Sequence, residues 1–167
     1  MNKRYYIAYG SNLNVYQMRF RCPNARVIGT AVVPDYELLF KGSKTGSYLT
    51  IEPKEGSSVP VAVWETTADD ELALDRYEGY PTFYYKEIMN VEVFSLLGDV
   101  SLGYVDATIY IMHEERKLGM PSLHYYELCL DGYAHFGFDP RFLENALTDS
   151  VGKRYASRLL KEVGLNE

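Results

Sequence analysis

Two hydrophobic periods divide this chain, and their order leaves few architectures open. From Arg26 to Thr66, β-branched and aromatic residues come in short runs, VIGTAVV, YELLF, SYLTI and VPVAVWET, separated by PD, GSKTGS and PKEGSS. Each separator is rich in turn formers, so the stretch predicts antiparallel, meandering pairs. Two longer strands are expected at 84–94 and 103–112, joined as a hairpin through Gly98 and Asp99. After Pro121 the period changes. Leu123, Tyr126 and Leu130, then Phe142, Leu143, Ala146 and Leu147, recur at helical intervals, and the final KRYASRLLKEVG is amphipathic. Strands first and helices mostly later, without steady βαβα alternation, predict an α+β fold: a small, mixed but mainly antiparallel β-barrel with flanking helices.

Two segments interrupt that order. KRYYIAY at residues 3–9 reads as a strand and runs straight into Gly10, Ser11 and Asn12, after which Val15, Met18 and Cys22 take up helical spacing until Pro23. A strand, a sharp turn and a helix therefore open the fold. In the middle of the chain Thr67 can cap a short helix with Asp70 three residues on. Leu74 and Tyr77 share a face, and Gly79 with Pro81 supplies the stop. The last turn of this helix is Asp75 to Glu78.

With 167 residues, folding buries roughly 70% of the surface of the unfolded chain, enough for one core, so residues 1–167 are expected to form a single domain. Acidic residues outnumber basic ones by 23 to 17, a net charge of -6, which argues against nucleic acid and anionic membrane surfaces as partners. No apolar stretch approaches the roughly 20 residues needed to span a bilayer, and a cytoplasmic location is expected. Cys22 and Cys129 lie in no paired motif and are read as reduced core residues. His113, His124 and His135 have no metal-binding spacing, and the phosphate-binding GxxxxGK(S/T) and GxGxxG patterns are missing, so neither a metal nor a cofactor is expected. Oligomeric state is left open, a homodimer included.

The compositional excess is tyrosine, 16 residues against 7 Phe and 1 Trp. Buried tyrosines need partners for their hydroxyls, so such a chain has either many wet core edges or a pocket lined with hydroxyls. Two places could carry chemistry. In Tyr9-Gly10-Ser11-Asn12-Leu13 the glycine lets backbone approach a ligand, and the N–H groups of Ser11, Asn12 and Leu13 would favour a carboxylate or an oxyanion. The same residues also read as an ordinary capped turn, with Asn12 or Asn14 satisfying orphan amides. Glu78 falls in the last helical turn, where the helix dipole repels an anion and Tyr77, Tyr80, Phe83 and Tyr84 could exclude water. Both effects would raise its pKa toward neutrality; an exposed glutamate of normal pKa is the other reading.

Together these pieces resemble the γ-glutamylcyclotransferase family, which includes γ-glutamylamine cyclotransferases and AIG2-like proteins. The resemblance rests on IAYGSNL at 7–13, LDRYEGYP at 74–81 and PSLHY at 121–125, the last followed by DGYAHFGF. It implies a small mixed barrel with flanking helices. It also implies that the turn formed by Tyr9, Gly10, Ser11, Asn12 and Leu13 binds the glutamyl part of the substrate, that Glu78 is the acid/base, and that Tyr84, Tyr110 and Tyr125 line the pocket. The activity implied is cofactor-independent cleavage of a small γ-glutamyl amide, releasing 5-oxoproline and an amine. A non-catalytic binding module on the same scaffold is the alternative. The sequence departs from enzymes acting on free γ-glutamyl amino acids at YPTFYYKE, after Glu78, and the loops 95–103 and 117–120 are expected to shape the leaving-group side.

Overall fold

The structure, a computed structural model, describes residues 3–164. Strand β1 (Arg4–Ala8) leads through a 3-10 turn (Ser11–Leu13) into helix α1 (Val15–Arg21). Two long strands follow, β2 (Arg26–Ser43) and β3 (Gly46–Thr66), then α2 (Ala68–Glu78), the strands β4 (Tyr84–Phe94) and β5 (Ser101–Met112), and the short β6 (Lys117–Leu118). Helices α3 (Leu123–Phe136), α4 (Arg141–Val151) and α5 (Lys153–Glu162) complete the described chain.

The strands pair in the order β3-β1-β5-β4-β2-β6, and a further β3–β2 ladder closes the first five into a barrel. Only β1 and β5 run parallel, through Tyr6 opposite Thr108; the remaining pairs are antiparallel. Mixed barrel and flanking helices are thus as the order of periods predicts. Alternation along the strands sends Ile7, Leu49, Ile51, Val61, Val63, Ile109 and Ile111 inward, all buried. Cys22 and Cys129 are buried free thiols within this core.

The meander differs from expectation. PD and PKEGSS are not turns; β2 and β3 run through both, and only the tip between Ser43 and Gly46 reverses the chain. Pro34 stands opposite Ser58 and Tyr36 opposite Pro53, so Asp35 alone faces four residues, 54–57. This is a large bulge. Asp35 adopts a positive φ of 59°, and its carboxylate accepts from the Gly56 N–H at 3.0 Å. Turn formers supply the curvature that lets two long strands wrap a barrel, which a local reading takes for chain reversal. In the β4–β5 hairpin, Tyr84 pairs with Met112 and Phe94 with Ser101, close to the expected register.

Candidate active site

Helix α2 is punctuated at both ends. The Thr67 side chain accepts from the Asp70 N–H, and the Asp70 carboxylate accepts from the Thr67 N–H, a reciprocal capping box. At the other end Gly79 takes a left-handed conformation, its N–H returning to Arg76 O at 3.3 Å while Tyr80 N–H returns to Asp75 O at 2.9 Å. The helix therefore stops at Glu78, and the chain turns back into β4.

The Gly10–Leu13 turn meets that helix end. Ser11 Oγ and the Tyr77 hydroxyl are 2.9 Å apart. Asn12 Nδ2 donates to the Tyr6 hydroxyl at 2.9 Å, and Asn12 Oδ1 accepts from Arg21, whose guanidinium lies 3.4 Å from the centre of the Tyr77 ring. Asn14 caps α1 by accepting from Gln17 N–H, so the capping role falls to Asn14 rather than Asn12. Leu13 corrects the sequence reading. Its N–H already donates to Gly10 O at 3.0 Å, and its fully buried side chain lies under α3, so it offers nothing to a ligand. The N–H groups of Ser11 and Asn12 have no acceptor among the described residues.

Between the turn, the end of α2 and the barrel mouth lies a cavity of about 520 Å3. Glu78 lines it together with Tyr9, Gly10, Ser11, Asn12, Tyr84, Tyr110 and Tyr125, so all of the expected site residues except Leu13 share one space. Burial pushes the Glu78 carboxyl up to about 8 from its ordinary 4.5, with the Arg21 guanidinium acting in the opposite direction. Removal of water by the surrounding aromatic wall is therefore the dominant cause. Burial and the Glu78 charge also raise the Tyr6 and Tyr9 hydroxyls well above their ordinary value, keeping both neutral.

Most of the tyrosine hydroxyls are already engaged. Tyr9 donates to Tyr110 O at 2.6 Å, Tyr84 to Leu49 O at 2.8 Å and Tyr110 to Asp75 Oδ1 at 2.5 Å, while Tyr125 accepts from Leu49 N–H at 3.1 Å. Tyr84 and Tyr125 thus brace the two sides of Leu49. To a ligand, Tyr9, Tyr84 and Tyr110 present oxygen lone pairs and ring faces rather than free donors. The loops 95–103 and 117–120 do not line the cavity; the tip of the β2–β3 hairpin does, through Ser43, Thr45 and Tyr48. The second loop supports that tip from behind. Lys117 and Leu118 pair with Gly42 and Lys41, and Gly119 N–H donates to Phe40 O. Sequence periodicity marks the tip only as a turn, so its place at the cavity mouth emerges with the barrel register. Among the described residues, no three His, Cys, Asp or Glu side chains gather as a metal-binding set.

Residues 6–127 match the family described as γ-glutamyl cyclotransferase, AIG2-like, and the chain belongs to that family. No curated protein matches the sequence significantly. Among solved structures, one described as γ-glutamyl cyclotransferase superposes with a TM-score of 0.74 at 23% identity, over 96% of this chain and 99% of the other. An uncharacterised human protein gives 0.68 at 23% identity, over 95% of this chain and 87% of its own. A yeast γ-glutamyl cyclotransferase specific to glutathione gives 0.60 at 9% identity, over 98% and 96%. At these identities the likeness is one of fold.

Proposed function

We propose that this protein is a cyclotransferase, cleaving a γ-glutamyl amide by attack of the substrate's own α-amine on its γ-carbonyl to release 5-oxoproline and an amine. The observation that carries the reading is the Glu78 carboxyl, raised to about 8, in a cavity also lined by Ser11 and Asn12, whose N–H groups have no acceptor among the described residues. The attack is intramolecular, so the protein need only fold the substrate, move protons and hold a developing oxyanion. Nitrogen attacks carbon, a tetrahedral centre forms, and the original C–N bond breaks. The α-ammonium gives up two protons and the leaving nitrogen gains two, so at neutral pH no net acid or base is consumed. Glu78 carries these protons one at a time, a role worth about 10²- to 10⁴-fold in rate.

A carboxyl that titrates near 8 suits the task, because it both accepts and returns a proton near neutral pH. The incoming ammonium stabilises its ionised form at the moment a base is needed. The Ser11 and Asn12 N–H groups are the donors available to the glutamyl carboxylate or the tetrahedral oxygen. Purified protein incubated with a panel of γ-glutamyl amino acids, γ-glutamyl amines and γ-glutamyl peptides should release 5-oxoproline from at least one, detected by mass spectrometry. A blank across the whole panel overturns the reading in favour of a binding module.

A further inference from the structure

The cavity has a closed end and an open end. Tyr6, Tyr9, Ser11, Asn12, Leu49, Tyr84 and Tyr110 are all buried, whereas Ser43, Thr45, Tyr48, Arg76, Tyr77 and Gly79 are exposed and form the mouth. Among the described residues lining the cavity, only Arg76 and Glu78 carry charge. Glu78 is half-buried, and the other charge belongs to Arg76, an exposed residue of the lining. Arg76 forms no ion pair and its side chain makes no hydrogen bond among the described residues, although this chain carries a net charge of -6. Arg4, Arg26 and Arg141 each pair with a carboxylate and Arg21 is bonded to Asn12 and Gln17, whereas Arg19, Arg116, Arg154 and Arg158 are as unpaired as Arg76 among the described residues but do not line the cavity.

We infer that Arg76 is a specificity residue that receives a carboxylate on the departing amine. The inference rests on the cyclotransferase reading, which sets the orientation: the glutamyl half goes to the closed end, beside the Gly10–Asn12 turn, and the scissile nitrogen faces Glu78. Whatever is attached to that nitrogen then extends toward the mouth, where the planar, permanently charged fork of Arg76 suits a carboxylate. No acidic side chain other than Glu78 lines the cavity to receive a second ammonium. A polyamine or diamine leaving group therefore finds a cation where it needs an anion. The substrate class favoured is a γ-glutamyl amino acid or short γ-glutamyl peptide ending in a carboxylate.

Two probes with the same glutamyl half separate the possibilities, γ-glutamylalanine and γ-glutamylethylamide, the second lacking the distal carboxylate. The native enzyme should prefer γ-glutamylalanine in kcat/KM, and Arg76→Met should lower the ratio of the two kcat/KM values about tenfold. Arg76→Lys should fall between, keeping the charge and losing the fork. Arg76→Met leaves no protein partner unpaired, and thermal melting verifies that the variants fold. If Arg76→Met lowers both substrates equally, Arg76 holds the glutamyl carboxylate and the inference is wrong; an unchanged ratio with both rates intact overturns it too. Should neither probe release 5-oxoproline, the cyclotransferase reading is what fails, and the dissociation constants of the two probes, measured by calorimetry, still decide on Arg76. A native preference for γ-glutamylalanine that Arg76→Met abolishes sustains its role in binding a carboxylate, whereas equal affinities, or no binding of either probe, overturn it.

Discussion

A carboxyl group with no hydrogen-bond donor to satisfy it among the described residues is costly to keep in a folded chain, and Glu78 is such a group. Its pKa of about 8 in the folded protein, against 4.5 ordinarily, means that the folded state keeps a proton that the unfolded state has released. Its contribution to stability is therefore intact below about pH 4.5 and is lost as the pH rises through 8, at a cost on the order of a few kcal/mol. Glu78→Gln removes that loss. The variant should match the native melting temperature near pH 4.5 and exceed it at pH 8, while 5-oxoproline formation disappears. With the carboxyl acting as base, native kcat/KM should climb with pH and level off above about 8; a rate independent of pH from 6 to 9 would remove Glu78 from the mechanism. Tyr125 behaves differently, because its hydroxyl accepts the Leu49 N–H in the cavity wall. Tyr125→Phe leaves that amide unpaired, at a cost of about 1–3 kcal/mol, or a drop of roughly 2–12 °C in melting temperature. An unchanged melting temperature would show that the hydroxyl does not brace the wall.

Elements come together at this site through one close contact that no local pattern announces. A Cβ placed on Gly132 of α3 would lie 2.6 Å from Leu13 Cβ, 2.7 Å from Leu13 C and 2.9 Å from Asn14 N. Two of those three atoms are backbone of the turn that offers the Ser11 and Asn12 amides. In an exposed helix, replacing Gly by Ala stabilises by up to about 1 kcal/mol. Here Gly132→Ala should instead destabilise by about 1–3 kcal/mol and reduce turnover, because α3 and the turn must separate. Chemical denaturation and 5-oxoproline release measure the two effects; a stabilised, fully active variant would refute the contact. The same distinction explains what could be read in advance. The strand before Gly10, the capping box of α2 and the stop at Gly79 are local signals, so IAYGSN and LDRYEG point to their elements and Glu78 to its helix end. Tyr84, Tyr110 and Tyr125 reach the cavity by the family's pattern and not by any period of their own. Ser43, Thr45, Tyr48, Arg76 and Gly132 could not be assigned, and Leu13 is wrongly placed among the ligand-binding amides, since their places depend on the register of β2 with β3 and the depth to which α3 settles. Local turn chemistry misreads PD and PKEGSS for the related reason that a bulge and a reversal use the same residues.

Across the whole molecule, α2 has to be held against a closed barrel, and an ionic network joins the buried Leu74 in holding it. Arg4 of β1 reaches Glu71 of α2, Lys86 of β4 lies 3.1 Å from Glu71 and 2.8 Å from Asp75, and Asp75 accepts the Tyr110 hydroxyl of β5. The Lys86 ammonium also sits 4.3 Å from the centre of the Tyr80 ring. One lysine thus ties the helix that ends in Glu78 to the strand that supplies Tyr110. Its side chain and those of Glu71 and Asp75 are each a fifth to a quarter exposed, so the pairs lie between surface and buried strength. Burial alone would push the Glu71 carboxyl up, but hydrogen bonds from Lys86 and Arg4 hold it below its ordinary 4.5. The sign is then opposite to that of Glu78: this contribution is present above about pH 4.5 and is lost on acidification. Lys86→Met keeps the apolar stem and removes the charge. It should cost about 1–2 kcal/mol at pH 7, roughly 2–8 °C in melting temperature, and the difference from the native protein should shrink as the pH falls below about 4.5 and on through the lowered pKa of Glu71. Because Asp75 loses the cation that fixes it under Tyr110, turnover should fall as well, with the affinity for substrate more affected than the rising pH limb set by Glu78. A variant whose stability deficit does not shrink at all on acidification would mean that Lys86 acts through its packing on Tyr80 rather than through the carboxylates.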